Sequence, residues 1–185
     1  RSSIRTVRLA FSDSGVNATA ISKEDLTEKA LRKLYNVFAI EDEKFIVNVE
    51  NNQIYLNDER IRELNLDKNI IIDELVEILQ SFDFITNAYS AEFILNSQNL
   101  SGYEKLIQNG FHKERSGDIA FILKPNVIFH DRKGTTHGSG YNYDTHVPLI
   151  FYGNGIKNGE TLDYTEIPDI APTISELLGQ KMKNS

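Results

Sequence analysis

Between Ser22 and Pro125 the apolar residues change period repeatedly, and this alternation limits the fold more than any other feature. Leu26, Ala30, Leu31, Leu34, Tyr35 and Phe38 recur at helical spacing behind Ser22 and Asp25, which have the outline of a capping box. The spacing predicts a helix there. Residues 45–49 and 53–56 then flank Asn51-Asn52, a pair that tolerates positive φ, so the stretch reads as a β-hairpin. A short helix over 58–64 follows, then a longer one capped by Asp67, with Ile71, Ile72, Leu75, Val76, Ile78 and Leu79 on its apolar face. Residues 84–88 read as a strand, 91–95 and 103–109 as short helices with Gly110 as a stop, and 118–123 as another strand. The order is that of an α+β unit, a helix layer on an antiparallel or mixed sheet.

After Pro125 the texture changes. Val127-Ile128-Phe129 reads as a short buried strand, and residues 130–146 are rich in His, Gly, Thr, Tyr and Asp. Leu149-Ile150-Phe151-Tyr152 is an unbroken apolar run ended by Gly153, as expected of a strand buried on both faces. Asp169 is placed to cap a last helix carrying Ile170, Ile174, Leu177 and Leu178, with Gly179 at its stop. From about residue 126 onward the chain looks like the edge of a different, α/β, domain. The expected division is 1–22 as a tail or residual core strand, 23–125 as an α+β insertion domain, and 126–185 as the C-terminal segment of the α/β core.

Composition narrows the function classes. With 20 Lys+Arg against 27 Asp+Glu the formal charge is −7, and the basic residues are scattered, which argues against a nucleic-acid-binding surface. No apolar run approaches the roughly 20 residues a membrane-spanning helix needs. Cysteine is absent, which removes disulfides, thiolate metal sites and Cys nucleophiles. The first residue is Arg1, followed by no apolar stretch of a signal peptide, so a processed chain or a part of a longer one is expected.

The chemistry-bearing residue types concentrate in Gly134-Thr-Thr-His137-Gly138-Ser139-Gly140-Tyr141-Asn142-Tyr143-Asp144-Thr145-His146-Val147-Pro148. Loops leading into or out of buried strands are where α/β proteins place their sites. Neutral imidazole is a good zinc ligand, and the glycines beside His137 let backbone and a bulky anion come close. The plainer alternative is a turn whose His and Tyr satisfy local hydrogen bonds. Gly153-Asn154-Gly155 matches neither a P-loop nor a dinucleotide fingerprint, and Ser139 does not sit in a nucleophile elbow. Asn17-Ala-Thr19 and Asn99-Leu-Ser101 match glycosylation sequons, a frequent accident.

The run GTTHGSGYNYDTHVPLIFYGNGIK, followed by TEIPDIAPTISELLG, resembles the C-terminal signature of the alkaline phosphatase superfamily. Within it the similarity is to the type I phosphodiesterase/nucleotide pyrophosphatase group, nearest the bacterial phosphate-irrepressible type of alkaline phosphatase. NNQIYLN (51–57) and ERSGDIAFILKP (114–125) resemble segments of those enzymes in the same order, so the resemblance covers most of residues 23–179. It implies a two-zinc hydrolase of phosphate mono- or diesters working through a phospho-Ser or phospho-Thr enzyme. It further implies a periplasmic or secreted location, and the N-terminal half of the same enzyme as partner. On this resemblance His137 is the last metal ligand, while Tyr143, Asp144 and His146 orient the loop around it. The departures are equally plain. No Asp-His-Gly ligand pair occurs, Ser12-Asp13-Ser14-Gly15 having Ser where the pair has His, and no nucleophile motif is found. No catalytic residue is therefore assigned within this chain, which by itself is expected to be inactive. The competing expectation is a non-catalytic binding or structural module that retains the superfamily's C-terminal architecture.

Overall fold

The computed structural model describes residues 19–39, 44–129 and 137–180. The chain divides into two units after His146.

In the first unit, strand β1 (Thr19–Ile21) leads into helix α1 (Lys23–Phe38). The Ser22 hydroxyl accepts from the Asp25 backbone N–H at 2.9 Å, satisfying one of the donors a helix start leaves open. Strands β2 (Ile46–Glu50) and β3 (Gln53–Leu56) form the expected hairpin. Asn51 and Asn52 take φ of 50° and 57°, the two left-handed residues that match a tight turn to the strand twist. Helix α2 (Asp58–Glu63) and helix α3 (Lys68–Gln80) follow, capped by the side chains of Asn57 and Asp67. Strand β4 (Ile85–Ser90), helices α4 (Ala91–Asn96) and α5 (Gly102–Gly110), strand β5 (Ile119–Leu123) and strand β6 (Val127–Phe129) complete this part.

The sheet runs β2-β3-β5-β4 and is antiparallel throughout, with β5 inserted between β3 and β4. Leu26, Ala30, Leu31 and Leu34 of α1 and Ile71, Leu75, Ile78 and Leu79 of α3 form one core with Ile54, Leu56, Ile119 and Phe121. These are the residues whose helical and alternating periods mark them in the sequence. All five residues of β5 are buried, so both of its faces are covered, as a central strand requires. Helices α4 and α5 are tied by Gln108, whose amide donates to the carbonyls of Ile94 and Ser97 at 2.8 and 3.0 Å, groups that a helix end leaves unpaired. The Tyr89 hydroxyl in β4 donates to Glu104 in α5 at 2.7 Å. Burial and that carboxylate push the Tyr89 hydroxyl pKa up, and the same bond holds Glu104 below its ordinary value.

Strands β1 and β6 pair in parallel, Thr19 with Val127 through Ile21 with Phe129, as a separate two-stranded ribbon. The fold is thus mixed α/β, with parallel and antiparallel pairing both present. Strand β6 is half-buried rather than buried, because β1 is its one partner among the described residues.

The second unit departs from one sequence expectation. Leu149-Ile150-Phe151-Tyr152 forms no strand, and Ile150 and Tyr152 are 78% and 100% exposed. A strand buried on both faces needs neighbours to accept its hydrogen bonds and cover its side chains, and no described residues supply them. The final helix α7 (Ile170–Leu177) forms as read, but its start differs. A 3₁₀ turn, Ile167–Asp169, precedes it, with Pro168 in its first positions and the Asp169 carboxylate accepting from Glu166 N–H at 2.8 Å. At its end Gly179 takes φ of 64°, its N–H and that of Gln180 donating back to Glu176 and Ser175, which closes the helix. The apolar face of α7 is open, Ile174, Leu177 and Leu178 being 43%, 50% and 70% exposed.

Candidate active-site loop

The loop after β6 is described from His137 onward. One helical turn, α6 (Asn142–Thr145), ends it, with the Tyr141 carbonyl accepting from Asp144 and Thr145 N–H at 2.8 and 3.0 Å. That turn carries Asp144 back over the start of the loop. One carboxylate oxygen of Asp144, Oδ2, accepts from both the Ser139 N–H at 2.9 Å and the Ser139 hydroxyl at 2.5 Å. Hydrogen bonds to a carboxylate are the stronger kind, so Asp144 clamps the backbone two residues from His137.

Three tyrosines pack beside the clamp. The Tyr141 ring meets Tyr103 of α5 edge-on at 5.2 Å between centroids and stacks on Tyr143 at 5.6 Å. Gly140 lies flat on the Tyr103 ring, where a Cβ would stand 2.9 Å from ring carbons, so the position admits no side chain without moving the ring. Burial pushes the Tyr103 hydroxyl pKa up, partly offset by its hydrogen bond at Gly140.

This loop forms one wall of a cavity of about 310 Å³. His137, Ser139, Tyr141, Tyr143 and Asp144 line it from the loop, Lys23 from the start of α1, Glu50, Asn51 and Asn52 from the hairpin, and Lys124 from just past the end of β5. Lys23 and Glu50 pair at 2.5 Å, and the ammonium holds the Glu50 carboxyl below its ordinary pKa. Of the residues picked out by the sequence, the structure brings His137, Tyr143 and Asp144 to this cavity. His146 instead ends α6, exposed and outside the cavity lining. Ser12-Asp13-Ser14-Gly15 lies outside the described residues. Tyr103, Lys23 and the Asn51-Asn52 turn were not legible as site residues, because nothing local to them marks a meeting with a loop dozens of positions away.

Among the described residues no three His, Asp or Glu side chains come together as a metal cage. The donor set here fits one ligand, the His137 imidazole, and not a complete zinc site, which takes about four. No step through a metal follows from these residues alone.

No family model matches the chain. A protein of Myroides odoratus named calcium-transporting ATPase is 33% identical over 174 residues, 93% of this chain and 31% of its own length. Alkaline phosphatase PafA of Elizabethkingia meningoseptica is 31% identical over 161 residues, 86% of this chain and 29% of the relative. Alkaline phosphatase PhoV of Synechococcus elongatus is 30% identical over 145 residues, 78% of this chain and 26% of the relative. The crystal structure of wild-type PafA matches with a TM-score of 0.76 at 30% identity, covering 85% of this chain and 30% of that one. A PafA variant with four substitutions matches at 0.74. The architecture is therefore that of an alkaline phosphatase over the part compared, less than a third of the curated relatives' length. In both sequence and fold the chain is similar to alkaline phosphatases.

Proposed function

We propose that this chain is the C-terminal part of a zinc-dependent phosphohydrolase that cleaves phosphate mono- or diesters through a phospho-Ser or phospho-Thr intermediate. The nucleophile belongs to the remainder of the enzyme. The observation that carries the reading is the His137 loop itself. It is clamped through Asp144 at a cavity rim, in a chain whose named relatives include four alkaline phosphatases. In this reading His137 supplies one imidazole to one of two zinc ions, Asp144 and Tyr143 hold the loop, and His146 acts at one remove. Zinc lowers the pKa of a bound water and polarises phosphoryl oxygens. The open apolar surfaces of residues 149–152 and of α7 support the N-terminal half as partner, since apolar stretches of that kind mark interaction surfaces. Location in the periplasm or outside the cell belongs to the same reading, as does the division into a tail or residual core strand over 1–22, an insertion domain over 23–125 and a core segment over 126–185.

The test is His137→Ala and His146→Ala in the intact protein, with zinc per protomer and phosphate-ester turnover measured for each. His137→Ala should lower zinc content and cut turnover by orders of magnitude. His146→Ala should cost about 10- to 100-fold, the range for partners that act through a ligand. An intact protein without zinc or turnover favours the non-catalytic module. Loss of metal with His146→Ala and its retention with His137→Ala reverses the two roles.

A further inference from the structure

We propose that Tyr141 is a positioning residue, a bolt that fixes the His137 loop to the end of the antiparallel sheet. Its hydroxyl donates to the carbonyl of Leu123, the last residue of β5, at 2.8 Å, with the Thr86 hydroxyl of β4 at 3.4 Å. Its backbone reaches the other way. The Tyr141 N–H donates to the Ser139 hydroxyl at 3.4 Å, and its carbonyl caps the turn that carries Asp144. One residue therefore joins the clamp over Ser139 to a strand that is buried along its whole length. The Gly140 contact with Tyr103 and the edge-on Tyr103–Tyr141 pair press the same short stretch against α5.

The sheet core is the stiff part of such a unit, and a loop without its own core takes its position from what it is bonded to. A phenylalanine would pack the same ring. The hydroxyl adds one directional bond to a carbonyl, which sets how far the loop stands from the sheet. Because Asp144 and Ser139 carry that constraint to within two residues of His137, Tyr141 sets where the imidazole stands. That His137 holds a metal rests on the function proposed above; the bolt itself does not.

The test compares Tyr141→Phe with Tyr55→Phe in the intact protein. Tyr55 is a control of like chemistry, its hydroxyl donating to the Arg115 carbonyl at 3.3 Å away from this loop. Losing one net hydrogen bond should speed amide exchange at Ser139, Asp144, Thr145 and His146 by roughly 2- to 10-fold in Tyr141→Phe. Exchange at Ile54 and Phe121 should stay unchanged, and Tyr55→Phe should leave the loop as in the wild type. Cobalt(II) titration adds a second readout. The cobalt absorption bands should shift, and affinity should fall by about tenfold, in Tyr141→Phe alone. Unchanged loop exchange overturns the bolt, and so does acceleration spread equally over Ile54 and Phe121. Faster loop exchange with cobalt affinity and bands unchanged overturns the positioning of His137. A wild-type protein that takes up no cobalt overturns the proposed function instead, while the exchange comparison still decides the bolt.

Discussion

Removing the Asp118 carboxylate should destabilise the first unit well beyond what a surface charge contributes. It stands just before β5, and its two carboxylate oxygens serve different elements. Oδ2 accepts from the Leu56 N–H of β3 at 2.7 Å, and Oδ1 pairs with the Lys68 ammonium at 2.6 Å, which also reaches Asp58 at 2.5 Å. Leu56 is 7% exposed, so in Asp118→Ala its N–H loses a partner in a place water reaches poorly. An unsatisfied buried donor costs about 1–3 kcal/mol. The ion pair is partly exposed, at 34% for Lys68 and 23% for Asp118, which places its share near the upper end of the roughly 0–1 kcal/mol of surface pairs. The sum is about 2–4 kcal/mol. Asp118→Asn keeps an oxygen for Leu56 and loses the charge, so it should cost about 1 kcal/mol. Urea unfolding at constant m-value reads both numbers as shifts of the midpoint. Asn and Ala variants of equal stability would refute the reasoning, since the difference between them is the stranded N–H.

The same pair makes a pH prediction. Burial lowers the Lys68 pKa, but the hydrogen bonds and charges of Asp118 and Asp58 outweigh it, and the net shift is upward from 10.5. Stability from this group is thus fully present below about pH 10.5 and is lost as pH climbs through the raised folded-state value. Lys68→Met should flatten that alkaline decline, and an unchanged profile in the variant refutes the assignment. In the loop, Gly140→Ala places a methyl against the Tyr103 ring and should cost about 1–3 kcal/mol of local stability, as overpacking does. Displaced Tyr103 ring resonances in NMR spectra check it, and unmoved resonances count against the contact.

Short-range physics made much of this chain readable in advance. Helix α1 follows from Ser22 and the spacing of Leu26, Ala30, Leu31 and Leu34, and the hairpin from two asparagines that accept positive φ. Each is settled within a few residues, by a cap, a period or a turn. The His137 loop was legible for another reason, that its residue types lie together in sequence. What the sequence left open is pairing. Nothing local to residues 118–123 says that β5 enters between β3 and β4, or that Asp118 meets Lys68, 50 positions earlier. Residues 149–152 show the limit most clearly. Their apolar run states a capacity for burial, but a strand exists only where a neighbour accepts its hydrogen bonds, and among the described residues none does. Tyr103 and Tyr141 are 38 positions apart, and no local signal joins them. Period and capping act over one or two turns of chain, whereas strand order and the tyrosine contacts depend on which distant surfaces lose the least entropy and bury the most area when the loops between them close.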